Sequence, residues 1–340
     1  MSNLKIAVVG AGKVARSNYL PYLSAQKDVS LTYYSRTQER AEACARDFGG
    51  KAVPSVEELL ADSPDAVLVL TMETQRYEAV NALLQGRPKR LFFEKPLIAQ
   101  NGQANVSEDD FFKARELLQR AHAIGVETAM VFNYRFFEQS VRAQKIVAER
   151  CFGALTQAAL FVNYACWSHC IDLLHLFAGG ASQITALSSS ATYQGAVDVS
   201  GAFRMKSGAT GTILGTSGSR FDFPLYEMQF TFENGALRFS DLDGSLTVFD
   251  PTTPYCETHV LQGNRSRWDQ YRLSFEKSLS EYLDSIRRNE PPPVPGLAGL
   301  EELQFEAALR RSISQQRPIH VQEEFPLFEE LYLGTPASAI

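Results

Sequence analysis

The 340-residue chain has no apolar run near the ~18 residues of a spanning helix, and its strongest, Ala66–Leu70, is strand-length. No membrane association is expected. Cysteine is sparse and odd in number. Cys44, Cys151, Cys166, Cys170 and Cys256 are scattered, which fits reduced thiols in a cytoplasmic protein better than a disulfide framework. Positive charge is not in excess: 33 Lys and Arg stand against 39 Asp and Glu, a net charge of −6, so no nucleic acid partner is expected. A signal peptide is also not expected. One lysine precedes an apolar stretch that ends at Gly10 with no small-residue cleavage site, which reads as a first strand. Internal repeats are lacking, and low complexity is confined to Pro291-Pro292-Pro293. What remains is an ordinary globular composition, 45% apolar and 21% charged. At roughly 150 residues per domain, the length suggests two domains.

The first 130 or so residues alternate strand and helix patterns. Strands are expected at Leu4–Val9, Val29–Tyr34, Asp65–Thr71, Arg90–Phe93 and Glu127–Phe132. Helices lie between them, one opening at Ser55 with Glu58 placed to close a capping box, and another following Ser107. Such alternation implies a parallel sheet with helices on both faces. After Asn133 the pattern changes. Helices are expected over Phe137–Ala148 and Ser168–Phe177. Short alternating strands follow, with Asp243-Gly244 as a hairpin signal between Leu237–Ser240 and Leu246–Phe249. Two closing helices complete the chain, the first ended by the proline run and the second starting near Leu297. The reading is an α/β Rossmann domain over residues 1–132, followed by an α+β domain over 133–340 with a mainly antiparallel sheet.

Gly10-Ala11-Gly12-Lys13-Val14-Ala15 follows the first strand and opens a helix. Gly10 permits a tight turn, Gly12 lets the backbone approach a pyrophosphate, and Ala15 is small enough for helix–strand packing. This is a dinucleotide fingerprint in its expected setting. The second strand then selects the cofactor. It ends in Ser35-Arg36-Thr37, without the carboxylate that would bond two ribose hydroxyls and repel a 2′-phosphate. Arg36, with two hydroxyl neighbours and Arg40 one turn on, favours NADP(H) over NAD(H).

Phe92-Phe93-Glu94-Lys95-Pro96-Leu97 ends a strand where doubly wound sheets bind their ligands. With the fingerprint upstream, this motif resembles the Gfo/Idh/MocA oxidoreductases, the glucose–fructose oxidoreductase and inositol dehydrogenase family. The resemblance extends through Asn133-Tyr134-Arg135-Phe136, Ser168-His169-Cys170-Ile171-Asp172, Gly296–Leu300 and Arg317-Pro318-Ile319. It implies a Rossmann domain joined to a large open-faced sheet, through which cytoplasmic homodimers or homotetramers often associate.

The resemblance also implies an activity: hydride transfer between nicotinamide and a carbonyl or alcohol carbon of a sugar, cyclitol or related polar small molecule. Reduction of an imine or a conjugated double bond is the alternative, and a non-catalytic nicotinamide-binding regulator is the reading from another class. Lys95 and His169 match catalytic positions. Cofactor contacts fall to Gly10, Gly12, Lys13, Val14, Ala15, Ser35, Arg36, Thr37, Thr71, Glu94 and Lys95, and substrate contacts to Asn133, Arg135 and Asp172. His169, at an ordinary imidazole pKa of ~6.5, is suited to proton exchange. Three departures stand out. Ala165 occupies the place of an expected Asp; Thr71-Met72-Glu73 and Arg76 replace a Thr-Pro-Asn-and-His pattern; and Ala99–Val106 looks like additional loop. Cys166, Cys170 and His175 near His169 read as packing residues, and no metal is expected.

Overall fold

The computed structural model describes residues 3–193, 196–216, 224–242, 244–263 and 266–328. Six parallel strands form the first sheet: β1 Leu4–Val9, β2 Val29–Tyr34, β3 Lys51–Ala52, β4 Ala66–Val69, β5 Arg90–Phe93 and β6 Glu127–Met130. Their order is β3-β2-β1-β4-β5-β6, the doubly wound arrangement whose switch point lies between β1 and β4. The two-residue strand β3 carries too little pattern to be read from sequence. At the third helix, Ser55 accepts from the Glu58 N–H at 3.2 Å, but Glu58 does not return the bond, so only half of the expected box forms. The reciprocal box closes one helix later, between Ser107 and Asp110.

The second sheet has nine strands: β7 Leu155–Asn163, β8 Ala181–Tyr193, β9 Ala196–Met205, β10 Thr210–Thr216, β11 Tyr226–Phe232, β12 Gly235–Ser240, β13 Ser245–Phe249, β14 Glu257–His259 and β15 Ile319–His320. Its order is β14-β13-β12-β11-β7-β10-β9-β8-β15. All pairings are antiparallel except β7 with β10. The expected hairpin pairs β12 with β13; Asp243 of its turn lies outside the described residues. Val199, Phe203 and Met205 point into the core, as their alternation requires.

Two long helices join the sheets. Helix Arg267–Arg288 lies against the N-terminal sheet, where Phe275, Leu279, Tyr282, Leu283 and Ile286 pack with Leu4, Ile6, Val8, Tyr19 and Phe92. Each such burial stabilises by about 1.5–3 kcal/mol, so this helix is anchored to a sheet far from it in sequence. It ends at Arg288, with Asn289 in the left-handed region at φ 52°, before the prolines are reached. Helix Gly296–Gln315 runs between the two sheets and is buried on nearly all sides. Gly299 lets Met130 pack close, because an added Cβ would lie 2.8 Å from its sulfur and displace that side chain. No helix among the described residues is long and apolar enough to cross a membrane.

Candidate active site

The first part of the site is the turn after β1. The Gly10 N–H donates to the Tyr34 carbonyl at 2.9 Å, and φ is +102°. A Cβ at Gly10 would lie 2.7 Å from the Thr71 nitrogen, so only glycine fits against the end of β4. Gly12 is the opposite case: nothing lies within 4 Å of the position its Cβ would take, so the open backbone faces a cleft. That cleft, about 620 Å³, is lined by Ala11, Gly12, Lys13, Arg16, Ser17, Arg40 and Ala43. Ala15 is fully buried against the sheet, whereas Lys13 and Val14 are exposed.

The helix that follows contains a wide turn at Ala15–Tyr19, in which the Leu20 N–H reaches back five residues to the Ala15 carbonyl. Pro21 explains it: proline has no N–H to continue the ladder and its ring crowds the carbonyl four residues earlier. The turn aims buried Tyr19 at the lysine motif, where its hydroxyl donates to Glu94 Oε1 at 2.9 Å.

Around the β2 end, Ser35 is half-buried and Arg36 and Thr37 are exposed. Arg36 forms no hydrogen bond or ion pair among the described residues, whereas Arg16 is committed to Asp47. A dinucleotide fits this arrangement on three counts: the open face of Gly12, the basic rim, and Thr71 Oγ1, which is buried next to the Gly10 turn without a partner.

The second part is the Glu94-Lys95-Pro96 segment at the end of β5. The Glu94 carboxylate accepts from the Lys95 N–H at 2.7 Å as well as from Tyr19. Arg76, noted in the sequence only as a departure, is the organiser of this loop. Its guanidinium is buried and donates to the carbonyls of Thr71 at 2.6 Å, Glu94 at 2.6 Å, Leu97 at 3.4 Å and Pro96. It thereby ties the end of β4 to the lysine segment, which contains a cis Lys95–Pro96 peptide. Lys95 Nζ donates to Gln103 Oε1 at 3.0 Å and to the Ala165 carbonyl at 3.4 Å.

The third part comes from helix Trp167–Ala178 and the turn Asn133–Phe136. His169 is buried, and its ring stacks on Tyr134 with centroids 4.0 Å apart. Its Nδ1 has no partner. Burial, with the Lys95 charge adding to it, pushes the imidazole pKa well below its usual value. The ordinary pKa expected from sequence is therefore not realised, because the ring is desolvated rather than exposed; His169 is neutral at neutral pH. Burial likewise raises the Cys166 thiol to about 11, and its sulfur lies 3.2 Å from the Tyr134 hydroxyl.

The expected substrate contacts are placed differently from one another. Asn133 is buried and donates to Ser274 Oγ at 2.7 Å, leaving its Oδ1 unpartnered. Arg135 and Asp172 form a two-pronged pair at 2.8 and 2.5 Å, with Asp172 only 1% exposed. Burial raises the Asp172 pKa and the arginine opposes it. Each of these two groups thus has its charge answered internally. A further pair was not anticipated: Glu302 and Glu306, one turn apart on helix Gly296–Gln315, are both buried, and both Glu302 oxygens lack a donor. Burial and the mutual repulsion of the two carboxyls push the Glu302 pKa well up.

Residues 4–123 match the sequence profile of the Gfo/Idh/MocA group, described as the oxidoreductase family with the NAD-binding Rossmann fold. Over these residues the chain is similar to that family. A curated relative, glucose-6-phosphate 3-dehydrogenase of Bacillus subtilis (strain 168), is 30% identical over 133 residues; the match spans 39% of this chain and 34% of that protein. Among solved structures, an oxidoreductase from Agrobacterium radiobacter in complex with NAD+, L-tartaric acid and magnesium superposes with a TM-score of 0.79 at 15% identity, covering 95% of this chain and 100% of that one. The UDP-N-acetylglucosamine 3-dehydrogenase of Acidithiobacillus ferrooxidans gives 0.74 at 18%, covering 93% and 99%. At these identities the likeness establishes the fold. Both sheets therefore follow the architecture of these dehydrogenase and oxidoreductase structures.

Proposed function

We propose that this Gfo/Idh/MocA protein is an NADP(H)-dependent oxidoreductase acting on a carbonyl or alcohol carbon of a sugar, cyclitol or related polar small molecule. The observation that carries the reading is the placement of Lys95. Its ammonium group sits at the C-terminal end of β5, held by neutral acceptors, within the electrostatic reach of His169. Ligands of doubly wound sheets bind at this end. The relative of known activity is named for oxidation of a phosphorylated sugar, which supports the same substrate class.

When bound, the nicotinamide supplies or accepts the hydride. Lys95 donates a hydrogen bond to the substrate oxygen and stabilises negative charge that develops there. Neutral His169 holds the substrate hydroxyl and accepts its proton in the oxidative direction, from a ring kept in place by Tyr134. Arg36 and Arg40 bind the 2′-phosphate, and Thr71 and Glu94 complete the cofactor's surroundings. A protonated imine as acceptor is the second reading. It draws on His169 being neutral and on Ala165 offering no carboxyl, since such an acceptor brings its own proton.

The exposed face of the second sheet is the proposed contact between copies of this chain. Leu187, Leu214 and Phe161 lie in one register row across β8, β10 and β7, with Ser200 between the first two, and are 72%, 44% and 43% exposed.

The test of the activity is NADPH oxidation across a panel of ketosugars, aldehydes and imines, with Lys95→Met as the diagnostic variant. It removes charge and donor while keeping chain length, so turnover falls by ~10²-fold or more and NADPH affinity is retained. A Lys95→Met protein with full turnover and intact cofactor binding would place the chemistry elsewhere.

A further inference from the structure

We propose that Gln103, carried on the Ala99–Val106 loop, is a positioning residue for Lys95, supplying a neutral amide as its side-chain partner where position 165 has no carboxyl. This rests on the reading of Lys95 given above.

An ammonium group has three donors. Gln103 Oε1 takes one at 3.0 Å and the Ala165 carbonyl takes a second at 3.4 Å. One N–H is left for a substrate oxygen, so the two contacts together choose its direction. Both acceptors are uncharged. The titratable groups within reach of the Lys95 charge are His169, Cys166 and the buried Glu302 carboxyl, none of them hydrogen-bonded to Nζ.

The loop is built to hold Gln103 in place. The Gln103 N–H donates to Glu73 Oε1 at 3.2 Å, and the neighbouring Ala104 carbonyl accepts from Arg310 at 3.4 Å. At its start, the Gln100 N–H donates to Asp110 Oδ1 at 2.9 Å and its side-chain oxygen accepts from Lys113 at 2.6 Å. Gly102, at φ +86°, reverses the chain and the turn Gln103–Asn105 then packs against Tyr164–Cys166. The anchors thus come from three separate helices, and the side chain that the loop extends to Lys95 is Gln103. An arm fixed at both ends and aimed at one ammonium group is a positioning device.

The test needs no known substrate. The full chain is labelled with acetic anhydride over a range of pH, and acetylation of Lys95 is read by peptide mass spectrometry, with the remaining lysines reporting that the fold is kept. Gln103→Glu puts a carboxylate beside the ammonium group, which favours its charged, unreactive form, and labelling of Lys95 at a given pH slows several-fold. Gln103→Ala frees the side chain and labelling at a given pH accelerates several-fold. Where the panel finds a substrate, Gln103→Ala loses about ten-fold in kcat with little change in KM or NADPH affinity. Lys95 labelling unchanged in both variants overturns the proposal, as does an unaltered kcat in Gln103→Ala. Full turnover of Lys95→Met instead removes the reading of Lys95 itself, while the labelling shifts still report the contact.

Discussion

The imidazole of His169 lies flat on the phenol ring of Tyr134, with centroids 4.0 Å apart and planes 7° from parallel. Stacking on one face and helix Trp167–Ala178 behind it remove the ring from water, and its pKa falls because the charged form is the one that loses hydration. His175, half-buried on the same helix, is lowered to about 3, chiefly by the desolvation of its ring.

These two histidines make the fold acid-sensitive. A group with a depressed folded pKa binds more protons when unfolded, so stability is full above the unfolded value of ~6.5 and declines as pH falls toward the folded value. Thermal melts should therefore drop steadily from pH 7 to pH 4. His175→Asn should flatten that slope. Its unchanged steepness in the variant would assign the acid sensitivity to other groups.

Glu302 and Glu306 act in the opposite window. Their folded pKa values are raised by burial, so each stabilises fully below ~4.5 and less as pH rises through the folded value. Glu302→Gln replaces a carboxyl that must stay protonated with an amide of the same shape. The variant should melt at least ~2 °C higher than the parent at pH 8 and show no gain at pH 4. A loss of stability at pH 8 with none at pH 4 would mean that Glu302 has a partner that prefers it ionised.

Arg36→Ala tests cofactor choice. A charged contact to the 2′-phosphate corresponds to about ten-fold or more in affinity. Fluorescence titration should show NADPH binding weakened by that factor and NADH binding spared. Equal affinity for NADPH and NADH in the unaltered protein would rule out the assignment.

Arg76→Met tests the frame of the lysine segment. The substitution leaves the carbonyls of Thr71, Glu94, Pro96 and Leu97 without their buried donor. Unfolding in urea should show a loss of about 3 kcal/mol with an unchanged slope, since unsatisfied buried carbonyls cost ~1–3 kcal/mol each and water replaces some donors. Turnover should fall alongside, because Lys95 loses its backbone support. Wild-type stability would show that the guanidinium's bonds are replaceable by solvent.

The sequence by itself determined what local periodicity and single-residue sterics determine. Runs such as Leu4–Val9 and Arg90–Phe93 specify buried parallel strands, and Gly10 specifies a turn that no other residue can make against Thr71. Lys95 was legible because its neighbours in sequence place it at a strand end. What only the tertiary structure decided are relationships between residues far apart in sequence. Arg76 meets the Glu94 carbonyl 18 positions on, Arg135 meets Asp172 across 37, and Lys95 meets Ala165 across 70. None of these contacts leaves a local pattern. His169 shows the same limit in its chemistry: its place on a helix follows from sequence, but its charge state depends on Tyr134, Lys95 and the exclusion of water, which exist only once the sheets have come together.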